Sequence, residues 1–344
     1  YFQVQTTEKR NLMAKRVRMA DIAEKLGISI VSVSKGLAGK DGVSEEMREK
    51  ILETAKEMGY LPPSKSTAAQ RSINIGILVA DRHFGDNTFY ANLYRSLVGH
   101  CNRLKYQCML EIVMPHAEDG CVLPLILAGG SVDALVFMGE FHRSYLAAML
   151  KNNLPFVFLD FYDDVIAGDS VQSDNVSGSF QITEHLLQTG CRKIAFVGSV
   201  RATSSIMDRY LGYCRALLQA GIEPRADWRL EDRDADGSWI PLSLPREMPD
   251  GFVCNCDEVA FNLVEKLKKA GYRIPQDIAV TGYDDHRFST ICTPQLTSYR
   301  VDVDGMANAA VNLLARKLNG KAVPAPITLV PGTIVYREST RVKG

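Results

Sequence analysis

No stretch of 18 or so uncharged apolar residues occurs in the 344-residue chain, so a membrane-spanning helix is excluded. No positively charged leader followed by an apolar run opens it, so export is not expected. Zinc-type cysteine pairing is also missing. Cys254 and Cys256 sit too close for a C-x₂₋₄-C knuckle, and no second pair accompanies them. The eight cysteines therefore read as reduced thiols packed as small hydrophobes in a cytosolic protein, with no metal site. Enzyme signatures are absent too. The first apolar run leads into Ala80-Asp81-Arg82-His83 rather than a G-x-G-x-x-G turn, and neither a G-x-x-x-x-G-K-[ST] loop nor a G-x-S-x-G elbow occurs. Asp284-Asp285-His286 resembles acid–base chemistry only until one notes that adjacent side chains diverge. Neither catalysis nor a bound cofactor is expected.

Net charge is zero, but the balance is uneven. Residues 1–72 hold 13 Lys and Arg against 9 Asp and Glu, and the remainder carries the matching acidic excess. A small basic head on a larger acidic body points to a polyanion contact at one end.

What is present is ordinary globular material, 46% hydrophobic and 23% charged, long enough for two or three domains. Tyr1-Phe2-Gln3 resembles the end of a protease-cleavage tag, and residues 1–14 are set aside as tag or disordered. Residues 15–60 read as three short helices. In the first, Met19, Ile22, Ala23 and Leu26 recur at helical spacing and Gly27 stops the run. Ser29 reads as the N-cap of a second, in which Ile30, Val33 and Leu37 share a buried face and Gly36 and Gly39 end the helix. Ser44 caps a third, with Glu45 and Glu46 in its first turn, a stripe of Met47, Ile51, Ala55 and Met58, and Gly59 after it. Residues 61–73, opening with Leu61-Pro62-Pro63-Ser64, form a hinge or linker.

From Ile73 the pattern changes. Apolar runs at Ile75–Ala80, Gln107–Val113, Asp133–Met138, Phe156–Leu159, Lys193–Val197, Gly251–Cys254 and Ile278–Gly282 alternate with amphipathic stretches. Continuous apolar strands with helical crossovers imply α/β architecture with parallel sheet buried on both faces. Two sheets joined near residue 173 fit better than one wide sheet. Ligands of such sheets lie beyond the carboxyl ends of the strands.

The helix pair 20–26 and 30–37, joined by Gly27-Ile28-Ser29, has helix-turn-helix spacing. The candidate DNA-reading residues are Ser29, Ile30, Val31, Ser32, Ser34 and Lys35. Serine hydroxyls suit phosphates, and Lys35 suits guanine or phosphate. An exposed Val31 suits a thymine methyl. The competing reading is a small bundle with a merely solvated polar face.

Longer motifs bear on that choice. Met19-Ala20-Asp21-Ile22-Ala23-Glu24-Lys25-Leu26-Gly27-Ile28-Ser29 followed by Val33-Ser34-Lys35 resembles the opening signature of the lactose-repressor/galactose-repressor (LacI/GalR) family. So do Val43-Ser44, Arg48-Glu49-Lys50-Ile51 and Gly59-Tyr60-Leu61-Pro62, and further on Ile75-Gly76, Gly282-Tyr283-Asp284-Asp285, Pro294-Gln295-Leu296-Thr297-Ser298 and Arg337-Glu338-Ser339-Thr340. The resemblance implies an N-terminal helix-turn-helix DNA-binding domain plus a periplasmic-binding-protein-like (type I) effector core, residues 74–344. Its N-subdomain would span about 74–173 and 300–328, and its C-subdomain about 174–299 and 331–341. It implies a cytoplasmic, nucleoid-associated homodimer that binds a double-stranded DNA operator and a small-molecule effector, and no membrane. Only Arg341-Val342-Lys343-Gly344 follow the closing motif, so a tetramerising tail is not expected. Two departures are visible. Ala69 stands where the family's hinge carries a leucine wedge for the minor groove, in a linker about two residues short. Val31 and Ala38 replace positions that are often polar.

Four loop residues converge if this fold is right: Asp160 and Asp284 at strand ends, Arg209 early in a helix, and Trp239 in Gly237-Ser238-Trp239. Carboxylates and a guanidinium span neighbouring hydroxyls of a sugar, and an aromatic face covers its apolar side. By resemblance Arg209 and Asp284 match effector-contacting positions, as do Asp160 and Trp239. Asp257 matches a family Asn-Asp element in which Cys256 replaces the asparagine. Asp81, Phe89 and Tyr90, with Phe84 and Asn87, belong to a loop that lines the cleft from the first subdomain, and Glu140 and His142 are weaker candidates. The expected function is an effector-controlled transcriptional regulator, a sugar being favoured as effector. The alternatives are a sugar receptor without DNA binding and, less favoured, an α/β enzyme.

Overall fold

The computed structural model describes residues 17, 19–37, 41–58, 60, 72–84, 88–234, 237–321 and 326–340. They divide into two units, Tyr1–Arg71 and Ser72–Gly344. The linker 61–71 with Ala69, and Ala38, Gly39, Gly59 and Asn87, lie outside the described residues.

The first unit contains α1 (Met19–Leu26), α2 (Ile30–Leu37) and α3 (Glu45–Glu57). Their apolar stripes meet in a small core of Ile22, Ala23, Val33, Ile51, Ala55 and Tyr60. Ser29 Oγ accepts the Ser32 N–H at 3.0 Å, and Ser44 Oγ accepts that of Met47 at 3.4 Å, so both serines satisfy backbone donors that a helix start leaves open. Lys25 reaches Glu57 at 3.1 Å and ties α1 to α3. Two expectations need correction. Ile30 is 52% exposed rather than part of the α2 stripe, because the first turn of α2 projects beyond the three-helix contact. Gly36 lies inside α2 instead of ending it, since a Cβ there would come within 2.6 Å of Ile51 Cδ1. The missing side chain lets α2 and α3 approach closely.

In the second unit, β1 (Asn74–Ala80), α4 (Asp81–Phe84), α5 (Thr88–Arg103), β2 (Gln107–Val113), α6 (Pro115–Asp119), α7 (Leu125–Ala128), β3 (Ala134–Met138), α8 (Arg143–Met149), β4 (Phe156–Leu159) and β5 (Ser170–Ser173) form one lobe. The chain then builds a second lobe from α9 (Asn175–Gln188), β6 (Ile194–Val197), α10 (Ser204–Gln219), β7 (Arg229–Leu230), β8 (Gly251–Cys254), α11 (Asp257–Lys269), β9 (Ala279–Asp284), α12 (Arg287–Ile291) and β10 (Thr297–Arg300). It returns to the first lobe with α13 (Val303–Leu318) and β11 (Ile327–Val330), and closes on the second with β12 (Thr333–Val335).

The sheets have strand orders β11-β5-β4-β3-β1-β2 and β12-β10-β9-β8-β6-β7. The first is parallel throughout, in registers such as Ile77↔Val136 and Phe137↔Phe158. The second is parallel except where β12 runs against β10. Helices on both faces bury the interior strands, which is why those strands are apolar along their whole length. The order reverses beside β1 in one sheet and beside β6 in the other, and the loops that feed a ligand crevice leave at such switch points. One crossover is unusual. Between β7 and β8 no helix occurs among the described residues, and residues 231–234 and 237–250 run as irregular segments and bends.

Candidate functional site

The carboxyl ends of both sheets face one cleft of about 420 Å³. Asp81, Phe89, Tyr90 and Asp160 enter from the first lobe, and Arg209, Trp239, Asp257 and Asp284 from the second. All eight effector candidates therefore line the same cavity.

Arg209 sits on the first turns of α10, 6% exposed, and organises the floor. Its Nε donates to Asn175 Oδ1 at 2.9 Å, one Nη donates to the Asn255 carbonyl at 2.6 Å, and the other lies 3.5 Å from Asp284 Oδ1. The guanidinium also lies 3.9 Å from the centroid of the Tyr283 ring. On the opposite wall Tyr90 donates to Asp160 Oδ2 at 2.9 Å, while Asp160 Oδ1 has no partner. Both aspartates end strands in left-handed backbone, with φ of 71° at Asp160 and 99° at Asp284. Aspartate tolerates that region better than most residues, and such strain concentrates at ligand sites. Burial pushes the Asp160 carboxyl up to about 7 and that of Asp284 up to about 6, with Arg209 opposing the rise in each case. Asp160 and Asp284 thus stand as two carboxyl groups raised toward neutrality beside the fixed charge of Arg209.

Asp257 is committed elsewhere. One oxygen accepts from Ser298 Oγ and the other from the His286 N–H, both at 2.6 Å, so it pins the loop after β9 to β10. Trp239 is 49% exposed and carries Arg233 over its ring at 4.5 Å. Glu140 accepts the Ser204 N–H at 2.8 Å across the cleft, and His142 lies outside the cavity beside Asp119 at 3.3 Å. Tyr162 to Asp208, at 3.3 Å, and the edge-to-face pair of Phe89 with His286, at 5.4 Å, also cross between lobes.

In the first unit, Val31, Ser34 and Lys35 stand exposed on one side of α2, with Val31 64% accessible. Ser32 is half-buried, its hydroxyl 2.9 Å from that of Ser29. An apolar side chain that exposed at a helix start, flanked by hydroxyls and an ammonium, suits a groove of mixed chemistry better than bulk water.

Residues 18–63 match the family model of bacterial regulatory proteins, lacI family, and residues 183–340 match a periplasmic binding protein-like domain. The chain carries a LacI-family DNA-binding domain and a periplasmic-binding-protein-like domain. Catabolite control protein A of Priestia megaterium is 27% identical over 333 residues, 94% of this chain and 99% of that protein. The HTH-type transcriptional regulator RegA of Clostridium saccharobutylicum is 29% identical over 331 residues, with 93% and 98% covered. A lac repressor dimer structure, bound to operator and an anti-inducer, shares the fold at a TM-score of 0.70 and 22% identity, covering 95% of this chain and all of that one. The protein is thus a DNA-binding transcriptional regulator, and its relatives are regulators rather than enzymes. No helix among the described residues is long and apolar enough to cross a membrane.

Several members of this cleft were not singled out by the sequence. His83 is buried under Glu140, whose carbonyl lies 3.0 Å from its Nε2. Burial, aided by the Arg82 charge, pulls the His83 imidazole down to about 4. Burial likewise lowers His286 to about 4, so both imidazoles are neutral at pH 7. Asn175 and Asn255 orient Arg209 from remote parts of the chain. Arg233 reaches the cleft from the irregular segment after β7.

Proposed function

We propose that this chain is an operator-binding repressor whose affinity for DNA is set by a carbohydrate effector held in the cleft between the two lobes. The observation that carries the reading is the buried set of Arg209, Asp284, Asp160 and Tyr90, drawn from both lobes. A polyol hydroxyl can donate to the unpartnered Asp160 oxygen while a neighbour accepts from Arg209, and Trp239 and Phe89 supply apolar faces for the ring. Such a ligand gains more from the closed lobes than from separated ones, so it shifts the population toward closure by its differential affinity. The relatives include the ribose operon repressor of Haemophilus influenzae, and a shared-fold structure is a CelR–cellobiose complex. Both favour a carbohydrate over other small molecules.

Val31, Ser34 and Lys35, with Ser29, Ile30 and Ser32 at the start of α2, are the proposed contacts to a double-stranded operator. The regulator works as a cytoplasmic homodimer, so that its two-fold axis matches a pseudo-palindromic site. The exposed apolar side chains Ile112 on β2, Met114 just after it, and Val122, Leu123 and Leu125 between α6 and the start of α7 supply the dimer surface. Selecting random duplexes on the full chain tests the DNA arm. A palindromic consensus supports it, and binding that never exceeds that of bulk DNA contradicts it.

A further inference from the structure

The main cleft continues into a smaller cavity of about 220 Å³, which shares Arg82, His83, Thr203, Arg233 and Gly237 with it. The lining of this annex differs in kind from that of the cleft. Three guanidinium groups meet there, Arg82 from the first lobe and Arg201 and Arg233 from the second. Arg82 spends both Nη groups on the buried Glu118 carboxylate and the Glu140 carbonyl. Arg233 gives Nε and one Nη to Asp232, at 3.2 and 2.9 Å, and keeps its other Nη. Arg201 is exposed and makes no ion pair or hydrogen bond among the described residues. The one carboxylate lining the annex is Glu140, and one of its oxygens is held by the Ser204 N–H at 2.8 Å.

The charges are therefore uneven between two joined cavities. Acidic groups crowd the larger one and the unmatched cation stands in the smaller. Arginines of opposite lobes line the annex, Arg82 paired with Glu118 and Arg233 with Asp232, while Arg201 adds a cation without a counter-ion among the described residues. Arg233 acts on both cavities, since its charge opposes ionisation of His83 in the annex and favours that of Asp284 in the cleft.

We propose that the effector is an anionic carbohydrate, its ring hydroxyls on Asp160, Asp284 and Arg209 and its phosphate or carboxylate in the annex between Arg201, Arg233 and Arg82. This rests on the carbohydrate reading of the cleft and adds the ligand's charge and orientation. A guanidinium presents paired donors that match either oxyanion, and a phosphate or carboxylate held between Arg82 of one lobe and Arg201 and Arg233 of the other bridges the two lobes. The preference is salt-dependent, because Arg201 is exposed.

Calorimetric titration of the full-length protein with matched hexoses, hexose 6-phosphates and hexuronates of gluco, galacto and manno configuration tests it. At least one phosphate or uronate binds tenfold or more tightly than its neutral parent, and the stronger of the two anions identifies the group the annex takes. In Arg201→Gln that ratio falls below threefold, and in Arg201→Glu the order inverts, with Tm of both variants within two degrees of wild type. A neutral hexose that binds as well as its anionic forms overturns the annex proposal while leaving the carbohydrate cleft intact. Equal loss of neutral and anionic ligands in Arg201→Gln overturns it as well. If no member of any series binds, the cleft reading itself fails and the annex proposal falls with it.

Discussion

One Nη of Arg209 lies 3.5 Å from Asp284 Oδ1, with both side chains almost withdrawn from solvent. A charge-assisted N–H···O bond closes to about 2.7–2.9 Å, so this pair compensates charge without being saturated. A ligand that donates to Asp284 and accepts from Arg209 completes both groups at once. The same cation also lowers the cost of ionising Asp160.

Removing the cation leaves two buried carboxylates without it. Arg209→Ala is therefore expected to destabilise the effector core by about 3–5 kcal/mol, the usual penalty for breaking a buried pair. Urea unfolding of the full chain, followed by a tryptophan signal from Trp228 and Trp239, measures it. Asp284→Asn removes a charge whose burial is itself costly, so its stability loss should be much smaller, while effector affinity falls at least tenfold.

Acidity enters through the same aspartates. Their folded values, about 7 and about 6, lie above the ordinary 3.8, so the folded core keeps protons that the unfolded chain releases. This contribution is complete below about pH 4 and is lost as pH rises through 6 and 7. Asp160→Asn should then stabilise the ligand-free protein relative to wild type at pH 8 and do so much less at pH 5. Effector hydroxyls prefer the ionised carboxylate, so wild-type affinity should rise between pH 5.5 and 8 and flatten in the variant. Thermal melts and titrations at both pH values decide this.

The α9–α10 crossing positions Arg209 and Asn175 together. Gly212, on α10, faces backbone: a Cβ there falls on the Val176 carbonyl oxygen and within 3.0 Å of the Phe180 nitrogen. Backbone cannot rotate aside as a side chain does. Despite alanine's better helix propensity, Gly212→Ala should lower stability by about 1–3 kcal/mol and weaken effector binding with it. A melt and a titration on the same preparation check both.

Much of this was legible in the sequence because its signals are local. Each apolar run from Ile75 to Gly282 coincides with a strand to within a residue or two at its ends, and Ser29 and Ser44 cap helices as serine chemistry dictates. The strands that escaped are short or polar. β5 reads Ser-Val-Gln-Ser and β10 Thr-Ser-Tyr-Arg, buried not by hydrophobicity but by side-chain hydrogen bonds such as Ser170 Oγ to the Phe161 carbonyl and the hydroxyl contact of Thr297 with Thr340, 2.8 Å apart. Ile30 and Gly36 misled for a related reason. An apolar residue at helical spacing signals burial only if a neighbour reaches that turn, and glycine signals a stop only if no partner helix needs its space. Asp257 lines the cleft as expected, and its hydrogen bonds from Ser298 and His286 were not legible in the sequence. Arg201 and Arg233 had no motif at all: one comes from the loop between β6 and α10 and the other from the irregular segment after β7.

The operator face gives a prediction of two kinds. Lys35→Ala should weaken binding to every duplex and reduce its salt dependence by about one counterion, as the loss of a phosphate contact does. Val31→Ser should instead relax preference at one thymine by about 1–3 kcal/mol. Fluorescence anisotropy on operator variants at two salt concentrations separates the two.

The measurement closest to the central claim is operator affinity of the full chain with and without saturating effector, in wild type and in Asp284→Asn. Coupling through the cleft predicts that effector changes the wild-type operator Kd at least tenfold, in one direction, and that Asp284→Asn responds less than twofold at the same concentration. An operator Kd that stays the same when the cleft is demonstrably filled would contradict the account.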